Sequence, residues 1–217
     1  MIISGGAVND VFVLDVMERL APEVVIGVDS GLSFLYRNGV RPTHIVGDFD
    51  SVQQEIIEYY KHETEVPIRE FNPVKDATDT EIAVRLAVEL GVDRLWLFGA
   101  TGSRLDHVMA NIRILKIALD HGVQAWILDE TNKISLHERE IVLSEAERFG
   151  TYFSLFPLGE AVPDLSIEGA KYPLSHYRMS TYESRCVSNE LIGRDVRITF
   201  PEGIVVLMET RDKGSED

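Results

Sequence analysis

Acidic residues follow several short apolar runs in the first half of this 217-residue chain. The stretch HIVGDFDSV places Asp48 and Asp50 two residues apart after an apolar run, and an extended chain points both side chains to one side. Like charges at that spacing repel each other unless a cation joins them, and carboxylate oxygens suit a hard cation such as Mg²⁺. The pair therefore predicts a magnesium site, with capping of a helix near Val52 as the alternative.

Further acids follow other apolar runs and could join this pair. Asp29 follows the apolar part of the stretch VIGVDSG, while Asp76 and Asp79 belong to the stretch REFNPVKDATDT. Taken separately, Asp29 is compatible with a helix cap or a turn, and the other two are as compatible with capping as with catalysis. If the runs are strands of a parallel sheet, their carboxyl ends converge on one edge and bring the acids together.

A glycine-rich stretch, GATGSRLDH, opens a helix-like segment near Arg104. The main-chain amides of residues 99–103 and the positive end of the helix dipole would hold phosphate oxygens, and the Arg104 guanidinium could add a bidentate contact. His107 has no second His or Cys at zinc-ligand spacing, so we expect it to orient a neighbour or cover the helix surface. Carboxylates, a phosphate-binding stretch and an arginine together indicate metal-assisted phosphoryl or nucleotidyl transfer.

The elements that must position these residues alternate between short β-rich runs and helix-like segments. In the segment DTEIAVRLAVELG, apolar residues recur every four positions and Gly91 ends the helix, as shown by Ile82, Leu86 and Leu90. This alternation predicts an α/β domain, with a mostly parallel sheet and flanking helices, over residues 1–131. Residues 132–217 contain short, partly alternating apolar runs broken by Gly, Pro and Asn, which predict an all-β sandwich.

The composition limits the class of partner. The chain has 21 basic and 36 acidic residues, and its formal net charge of −15 disfavours nucleic acid or an anionic membrane as a partner. Its single cysteine, Cys186, excludes an intrachain disulfide framework and fits a reducing compartment. Neither a basic and then apolar leader nor a run of about eighteen apolar residues is present, so we predict a soluble, cytoplasmic protein.

Taken together, these stretches resemble the thiamine pyrophosphokinase family. VDSG, NGVRPTHIVGDFDSV, DATDTEIAVRLA and GATGSRLDHVMANI are similar in order and spacing to the catalytic motifs of that family, and SLFPLG, IEGAKYPL and SNE continue the resemblance into the second domain. The resemblance implies transfer of pyrophosphate from ATP to the hydroxyl group of thiamine, with release of AMP. It also implies an N-terminal domain for ATP and metal, a C-terminal β-sandwich for thiamine, and a homodimer with thiamine bound between subunits.

The resemblance assigns individual residues to three sets. The catalytic set is Asp48, Asp50, Asp79, Asp76 and Arg104, and the Mg²⁺ ligands within it are Asp48, Asp50 and Asp79. The ATP-binding set is Asp29, Gly31, Gly99, Thr101, Gly102, Ser103, Arg104, Asp106 and His107. The thiamine-binding set is Tyr172, Ser188 and Asn189. The aromatic face of Tyr172 would lie beside the cationic thiazolium ring, and the other two residues would bond the aminopyrimidine or, alternatively, form a plain β-turn.

Two other functions fit parts of the sequence. A pyrophosphokinase of another small alcohol, such as a hydroxymethylpterin, could share the acidic α/β half, but KYPL and SNE in the all-β half favour thiamine. A non-catalytic nucleotide-binding regulatory module would keep the fold without the chemistry, and the presence of all the acids argues against it.

Overall fold

The computed structural model describes residues 1–70, 77–102 and 104–214, so the predicted site residues Asp76 and Ser103 lie outside the described residues. The chain divides into two compact units, the first from Met1 to Glu130 and the second beginning at Thr131. Within the described ranges, no helix combines the length and the apolar character that a membrane span requires.

The first unit alternates strands and helices along the chain. Its strands are β1 (Ile2–Ile3), β2 (Ile26–Val28), β3 (His44–Gly47), β4 (Ile68–Glu70), β5 (Arg94–Phe98) and β6 (Gln124–Leu128). Its helices are α1 (Asp10–Leu20), α2 (Gly31–Arg37), α3 (Gln54–His62), α4 (Asp79–Glu89) and α5 (Leu105–Asp120). The strands pair in the order β6-β5-β1-β2-β3-β4, and every pairing is parallel. The predicted α/β domain with a mostly parallel sheet is confirmed.

The order of these strands creates a crevice next to β1. The chain adds β2, β3 and β4 on one side of β1 and then returns to place β5 and β6 on its other side. At such a reversal, the segments that leave the two central strands diverge and open a crevice at the carboxyl ends of the strands. The segments after β1 and β5 are therefore the expected walls of a ligand site.

Helix capping shows which polar residues remain available for this crevice. Thr78 caps α4, because its side-chain oxygen accepts a hydrogen bond from the N–H of Glu81 at 3.2 Å. Asp79, the first residue of α4, is therefore not needed as the cap. Helices α2 and α3 begin after Ser30 and Gln53, so the alternatives in which the neighbouring aspartates cap these helices are not observed.

The second unit is a sandwich of antiparallel strands. These are β7 (Asn132–His137), β8 (Ile141–Leu143), β9 (Tyr152–Pro157), β10 (Val162–Glu168), β11 (Leu174–Met179), β12 (Asn189–Glu190), β13 (Val196–Thr199) and β14 (Val205–Thr210), with a short 3₁₀ helix at Glu145–Glu147. Four strands follow the order β12-β9-β14-β7, and the other four follow β11-β10-β13-β8. Side chains from both groups share one core, including Phe153, Leu155, Leu165, Ile198 and Val205. The predicted all-β sandwich is confirmed.

His137 on β7 gives the sandwich a testable pH dependence. Burial lowers the pKa of its imidazole to about 4, and the charge of Lys133 acts in the same direction. Because the unfolded chain titrates near pH 6.5, the unfolded state takes up the proton first, and stability is lost as the pH falls from about 6.5 towards about 4. We expect this group to remove about 2 kcal/mol of unfolding free energy between about pH 7 and about pH 5. Urea unfolding of wild type and His137→Gln measures it, and identical pH profiles would contradict the expectation.

Candidate functional site

A cavity of about 570 Å³ lies within the first unit at the carboxyl ends of β1 and β5. Its walls are residues 4–7, which follow β1, and residues 99–102, which follow β5, together with the first turns of α4 and α5. This is the crevice that the strand order leads us to expect.

The two loops that form the walls are held close to each other by glycines. The N–H of Gly6 donates to the carbonyl oxygen of Gly99 at 2.8 Å. Gly99 has φ of 64°, and a Cβ atom there would lie 2.3 Å from the carbonyl oxygen of Ser4, so only glycine fits this position. The loop after β5 leads into the N-terminus of α5, where the main-chain amides of the first turn and the helix dipole favour anions such as phosphate.

Three aspartates from different elements meet beside this cavity. Asp29 follows β2, Asp48 follows β3, and Asp79 begins α4. One carboxylate oxygen from each lies within 4.8 Å of the other two. Asp29 and Asp79 also line the cavity. The sheet topology therefore brings together acids that are up to 50 positions apart in the sequence.

The electrostatics of this acid cluster (Asp29, Asp48 and Asp79) favour a bound cation. Oδ1 of Asp29 is buried and has no hydrogen-bond partner among the residues that the structure describes. Burial, and then repulsion from Asp79 and Asp48, raise the pKa of Asp29 to about 7. A hard divalent ion such as Mg²⁺ would satisfy the buried oxygen and offset the repulsion, and carboxylate oxygens are the ligands that it prefers. The residues present therefore fit such an ion.

The backbone around the acid cluster is locally strained. Asp29 has φ of 44° and Phe49 has φ of 63°, in the left-handed region that most side chains avoid. Gly47 lies between the aspartates, and a Cβ atom there would be 2.1 Å from Oδ1 of Asp29. Strain of this kind is typical of functional sites, because the surrounding structure must hold it in place.

The structure places Asp29, and not Asp50, with Asp48 and Asp79. Strand β3 ends at Gly47, and the left-handed conformation of Phe49 interrupts the extended alternation that would point Asp48 and Asp50 to one side. Asp50 is exposed, and its main-chain N–H donates to Oδ1 of Asp48 at 3.3 Å. Its role as a metal ligand stays a sequence-based prediction, and Asp29 takes its place in the group of acids that the structure brings together.

Arg104 lies at the entrance to α5 and forms an exposed ion pair. Its Nη2 is 2.6 Å from Oδ2 of Asp106, and the two side chains are 68% and 65% exposed. The hydrogen bond from Arg104 lowers the pKa of Asp106 to about 2, and the N–H of His107 donates to the same carboxylate. Arg104 and His107 line the cavity, and the carboxylate that pairs with the Arg104 guanidinium is exposed.

Some of the remaining residues of the predicted ATP-binding set line the cavity and others do not. Those that line the cavity are Asp29, Gly99, Thr101 and Gly102. Gly31 and Asp106 are not part of the lining. Gly31 instead lets α2 approach β1, because a Cβ atom there would lie 2.2 Å from the carbonyl oxygen of Ile3. Thr101 donates its hydroxyl to Oδ2 of Asp129 at 2.8 Å, which anchors the loop after β5.

In the second unit, Tyr172 and Asn189 form a compact pair beside a cavity of about 400 Å³. Oδ1 of Asn189 accepts from the N–H of Tyr172 at 3.0 Å, and Nδ2 of Asn189 donates to the carbonyl oxygen of Tyr172 at 2.8 Å. Asn189 is 5% exposed, whereas Tyr172 is 56% exposed. The amide of Asn189 therefore holds the main chain from which the Tyr172 ring projects.

Lys171 and Ser188 each precede one member of this pair in the sequence. Lys171 lies with its Nζ 5.5 Å from the centroid of the Tyr172 ring and 2.6 Å from Oε1 of Glu190. A cation therefore already lies near this aromatic ring. Ser188 is exposed, has φ of 57°, and donates its main-chain N–H to Oγ of Ser154 at 3.0 Å.

Comparison with known proteins assigns the chain to a family. The family model for the thiamin pyrophosphokinase catalytic domain matches residues 20–127, and that for the vitamin B1 binding domain of the same enzyme matches residues 138–205. The chain is also 32% identical over 191 residues to thiamine pyrophosphokinase of Bacillus subtilis strain 168, covering 86% of this chain and 87% of that protein. The chain belongs to the thiamine pyrophosphokinase family.

Solved structures of thiamine pyrophosphokinases share the fold over nearly the whole chain. The crystal structure of the Bacillus subtilis protein matches with a TM-score of 0.86 at 28% identity, covering 98% of each chain. That of the Geobacillus thermodenitrificans protein matches with a TM-score of 0.83 at 30% identity, covering 98% of this chain and 97% of the other.

In this member of the thiamine pyrophosphokinase family, the cavity is also lined by residues outside the predicted catalytic and ATP-binding sets. They are Ser4, Gly5, Gly6, Ala7, Ser30, Ser51, Thr78, Thr80, Ala100, Val108 and Asn111. The stretch MIISGG carried a usable signal, because an apolar run followed by Ser-Gly-Gly resembles the other strand ends of the site. Asn111 lacked such a signal, since its amide donates to the carbonyl oxygen of Ala100 only once α5 has packed against the sheet.

Proposed function

We propose that this chain is a thiamine pyrophosphokinase that transfers pyrophosphate from ATP to the hydroxyl group of thiamine, giving thiamine diphosphate and AMP. One observation carries the proposal: the acid cluster lies beside a glycine-lined cavity at the point where the sheet reverses its winding. Carboxylates next to a phosphate-binding loop suit phosphoryl transfer, and both halves of the chain match models of this family.

We assign the metal to the acid cluster. Asp29, Asp48 and Asp79 would hold Mg²⁺, which when bound neutralises charge on the phosphate oxygens. The proton of the thiamine hydroxyl group needs an acceptor, and we assign that step to a carboxylate outside these three. Asp50 is the candidate among the described residues, because its main chain contacts Asp48 while its side chain is outside the acid cluster. Asp76 lies outside the described residues, and its assignment to the catalytic set rests on the sequence.

We assign binding of the ATP phosphate groups to the loop after β5 and to Arg104. The thiamine hydroxyl oxygen forms a bond to the β-phosphorus, and the bond from that phosphorus to the oxygen shared with the α-phosphorus breaks, so that AMP leaves. Main-chain amides of residues 99–102 and the Arg104 guanidinium would bind the transferred and leaving phosphates. Because these hydrogen-bond donors are already in position before the reaction, they can stabilise the negative charge that develops on the phosphate oxygens without first having to reorganise.

We place thiamine against Tyr172, between two subunits of a homodimer. The exposed ring of Tyr172 suits the cationic thiazolium. Asn189 bonds the main chain of Tyr172, and Ser188 precedes Asn189 in the sequence. Because the Asn189 amide already bonds the Tyr172 main chain, part of its contribution is to hold that ring in place. A two-fold axis would give two identical sites, each with acids from one chain and the tyrosine from the other.

We further propose that the enzyme works in the cytoplasm, without nucleic acid or a membrane as partner. The net charge of −15 supports this, because polyanions would repel the protein. The single, buried cysteine is compatible with a reducing compartment.

Arg104→Lys is expected to weaken the use of ATP more than the use of thiamine. Lysine keeps the charge but loses the planar fork that binds two phosphate oxygens, so we expect kcat/KM for ATP to fall about tenfold or more. Steady-state kinetics with each substrate varied in turn measures the difference. Arg113→Lys, at an exposed arginine within the helix that follows Arg104, is the matched control. Unchanged ATP kinetics in Arg104→Lys would refute the phosphate contact.

The proposed function is tested by incubating the purified protein with ATP, Mg²⁺ and candidate alcohols and then separating the nucleotides. We expect AMP and thiamine diphosphate with thiamine, and neither with a hydroxymethylpterin. AMP formed only with the pterin would favour a different pyrophosphokinase. Nucleotide binding without turnover of any alcohol would favour a regulatory module.

A further inference from the structure

A buried pair of hydroxyl groups joins the loop after β1 to the first turn of α4. Oγ of Ser4 and Oγ1 of Thr80 are 2.6 Å apart, and the two residues are 5% and 8% exposed. Ser4 directly follows β1, and Thr80 is the second residue of α4, next to Asp79. The bond therefore connects the end of the central strand to the helix turn that carries one acid of the cluster.

Ser4 is also the point at which the loop after β5 is attached. Its N–H donates to the carbonyl oxygen of Phe98 at 2.8 Å, and its own carbonyl oxygen packs so closely against Gly99 that a Cβ atom there would lie 2.3 Å away. The Thr78 cap is local, because it bonds to the N–H of Glu81 in the same helix. The bond made by Thr80, in contrast, connects the first turn of α4 to another element of the site.

We propose that Thr80 is a positioning residue that sets the carboxylate of Asp79 within the acid cluster, through its bond to Ser4. The inference rests on the proposed metal site. The three carboxylate oxygens meet within 4.8 Å, so a small rotation of the first turn of α4 would separate Asp79 from the other two. A buried hydroxyl bond is directional, and leaving one partner unsatisfied is unfavourable, so the pair resists that rotation.

The test measures binding of Mn²⁺ alone, without nucleotide, by electron paramagnetic resonance or calorimetry. Thr80→Val keeps the shape of the side chain and removes the hydroxyl group, and we expect it to weaken Mn²⁺ binding about five- to tenfold. Thr80→Ser keeps the hydroxyl group and should bind Mn²⁺ nearly as the wild type does. Ser4→Ala should resemble Thr80→Val, and the double variant should be no weaker than either single variant, because both remove the same bond.

A matched control separates positioning from general stability. Thr43 also makes hydrogen bonds through its side chain, accepting from the N–H and donating to the carbonyl oxygen of Val25 near the start of β2, outside the cavity. Thr43→Val should lower the melting temperature and leave Mn²⁺ affinity unchanged. Circular dichroism confirms that each variant is folded at the temperature of the binding measurement.

The outcomes distinguish this inference from the proposed function. If the wild type binds Mn²⁺ through Asp29 and Asp79, as Asn variants of each would show, and Thr80→Val binds it equally well, the positioning role is wrong while the metal site stands. If the wild type binds no Mn²⁺, or the Asn variants bind it normally, the metal site and the positioning role are both wrong. Weaker binding in Thr80→Val, rescued in Thr80→Ser, supports both.

Discussion

Asp48→Asn is expected to lower kcat by about a hundredfold or more while the protein stays folded. Asp48 is one of three acids that bring a carboxylate oxygen within 4.8 Å of each other, and asparagine keeps the shape while removing one charge. Because like charges repel where no cation lies between them, the metal-free melting temperature should be unchanged or higher. Turnover at limiting Mg²⁺ and thermal unfolding in chelator measure the two effects.

Asp50→Asn is the informative partner of this variant. The structure leaves Asp50 exposed and outside the acid cluster, so its Mn²⁺ affinity should stay near that of the wild type, even if turnover falls through loss of a proton acceptor. Strong loss of metal affinity in Asp50→Asn, with normal affinity in Asp48→Asn, would show that the metal lies elsewhere. Near-normal turnover of Asp48→Asn at limiting Mg²⁺ would refute the assignment of the acid cluster.

Mixing two inactive variants is expected to restore activity if thiamine is bound between subunits. Asp48→Asn damages the acid half of the proposed site, and Tyr172→Ala damages the thiamine half at an exposed position where folding should be unaffected. In a heterodimer of the two, one site receives both damaged halves and the other receives two intact halves. Activity measured at a thiamine concentration below KM should therefore rise well above that of either variant alone.

The size of this recovery is set by the symmetry of the dimer. Full exchange puts about half of the molecules in the mixed form with one working site each, so activity should approach roughly a quarter of wild type. Exchange must be verified independently, for example by two different affinity tags on the same molecule. Verified exchange without recovery would place both halves of the site in one chain.

The acid cluster shows how far the sequence can be interpreted. The alternation of β-rich and helix-like runs predicts that strand ends converge, and this suffices to bring Asp29, Asp48 and Asp79 to one edge of the sheet. The pairing of Asp50 with Asp48 on one side of an extended chain does not match the geometry, because the left-handed conformation of Phe49 ends that extended chain. Nothing in the local apolar pattern encodes that conformation.

Helix α4 shows the same limit for packing. Its existence followed from periodicity, and Gly91 indicated its end, which the structure places at Glu89. The residues it buries, however, are mainly Ala83, Val84, Leu86 and Ala87, while Leu90 is 40% exposed. The small side chains of the two alanines let α4 pack closely against the sheet. The buried face of the helix is therefore rotated away from the face that Ile82, Leu86 and Leu90 had indicated. Such choices depend on the shape of the partner surface.

The contacts of Asn189 could not be predicted from the sequence for a related reason. A turn or a direct bond to thiamine were the options that the sequence offered, whereas its amide bonds the main chain of Tyr172, 17 positions away. Polar side chains near a site often find partners on the main chain of a distant segment, and that pairing exists only after the strands have assembled.

The most direct test of the proposed reaction uses ATP labelled in turn at the β- and the γ-phosphorus. With thiamine and Mg²⁺, attack on the β-phosphorus predicts that both labels appear in thiamine diphosphate, in equal amounts, and that the released nucleotide is unlabelled AMP. Transfer of the γ-label alone, with labelled ADP from the β-labelled substrate, would identify an ordinary kinase and contradict the proposed reaction. Absence of either label from thiamine would contradict it as well.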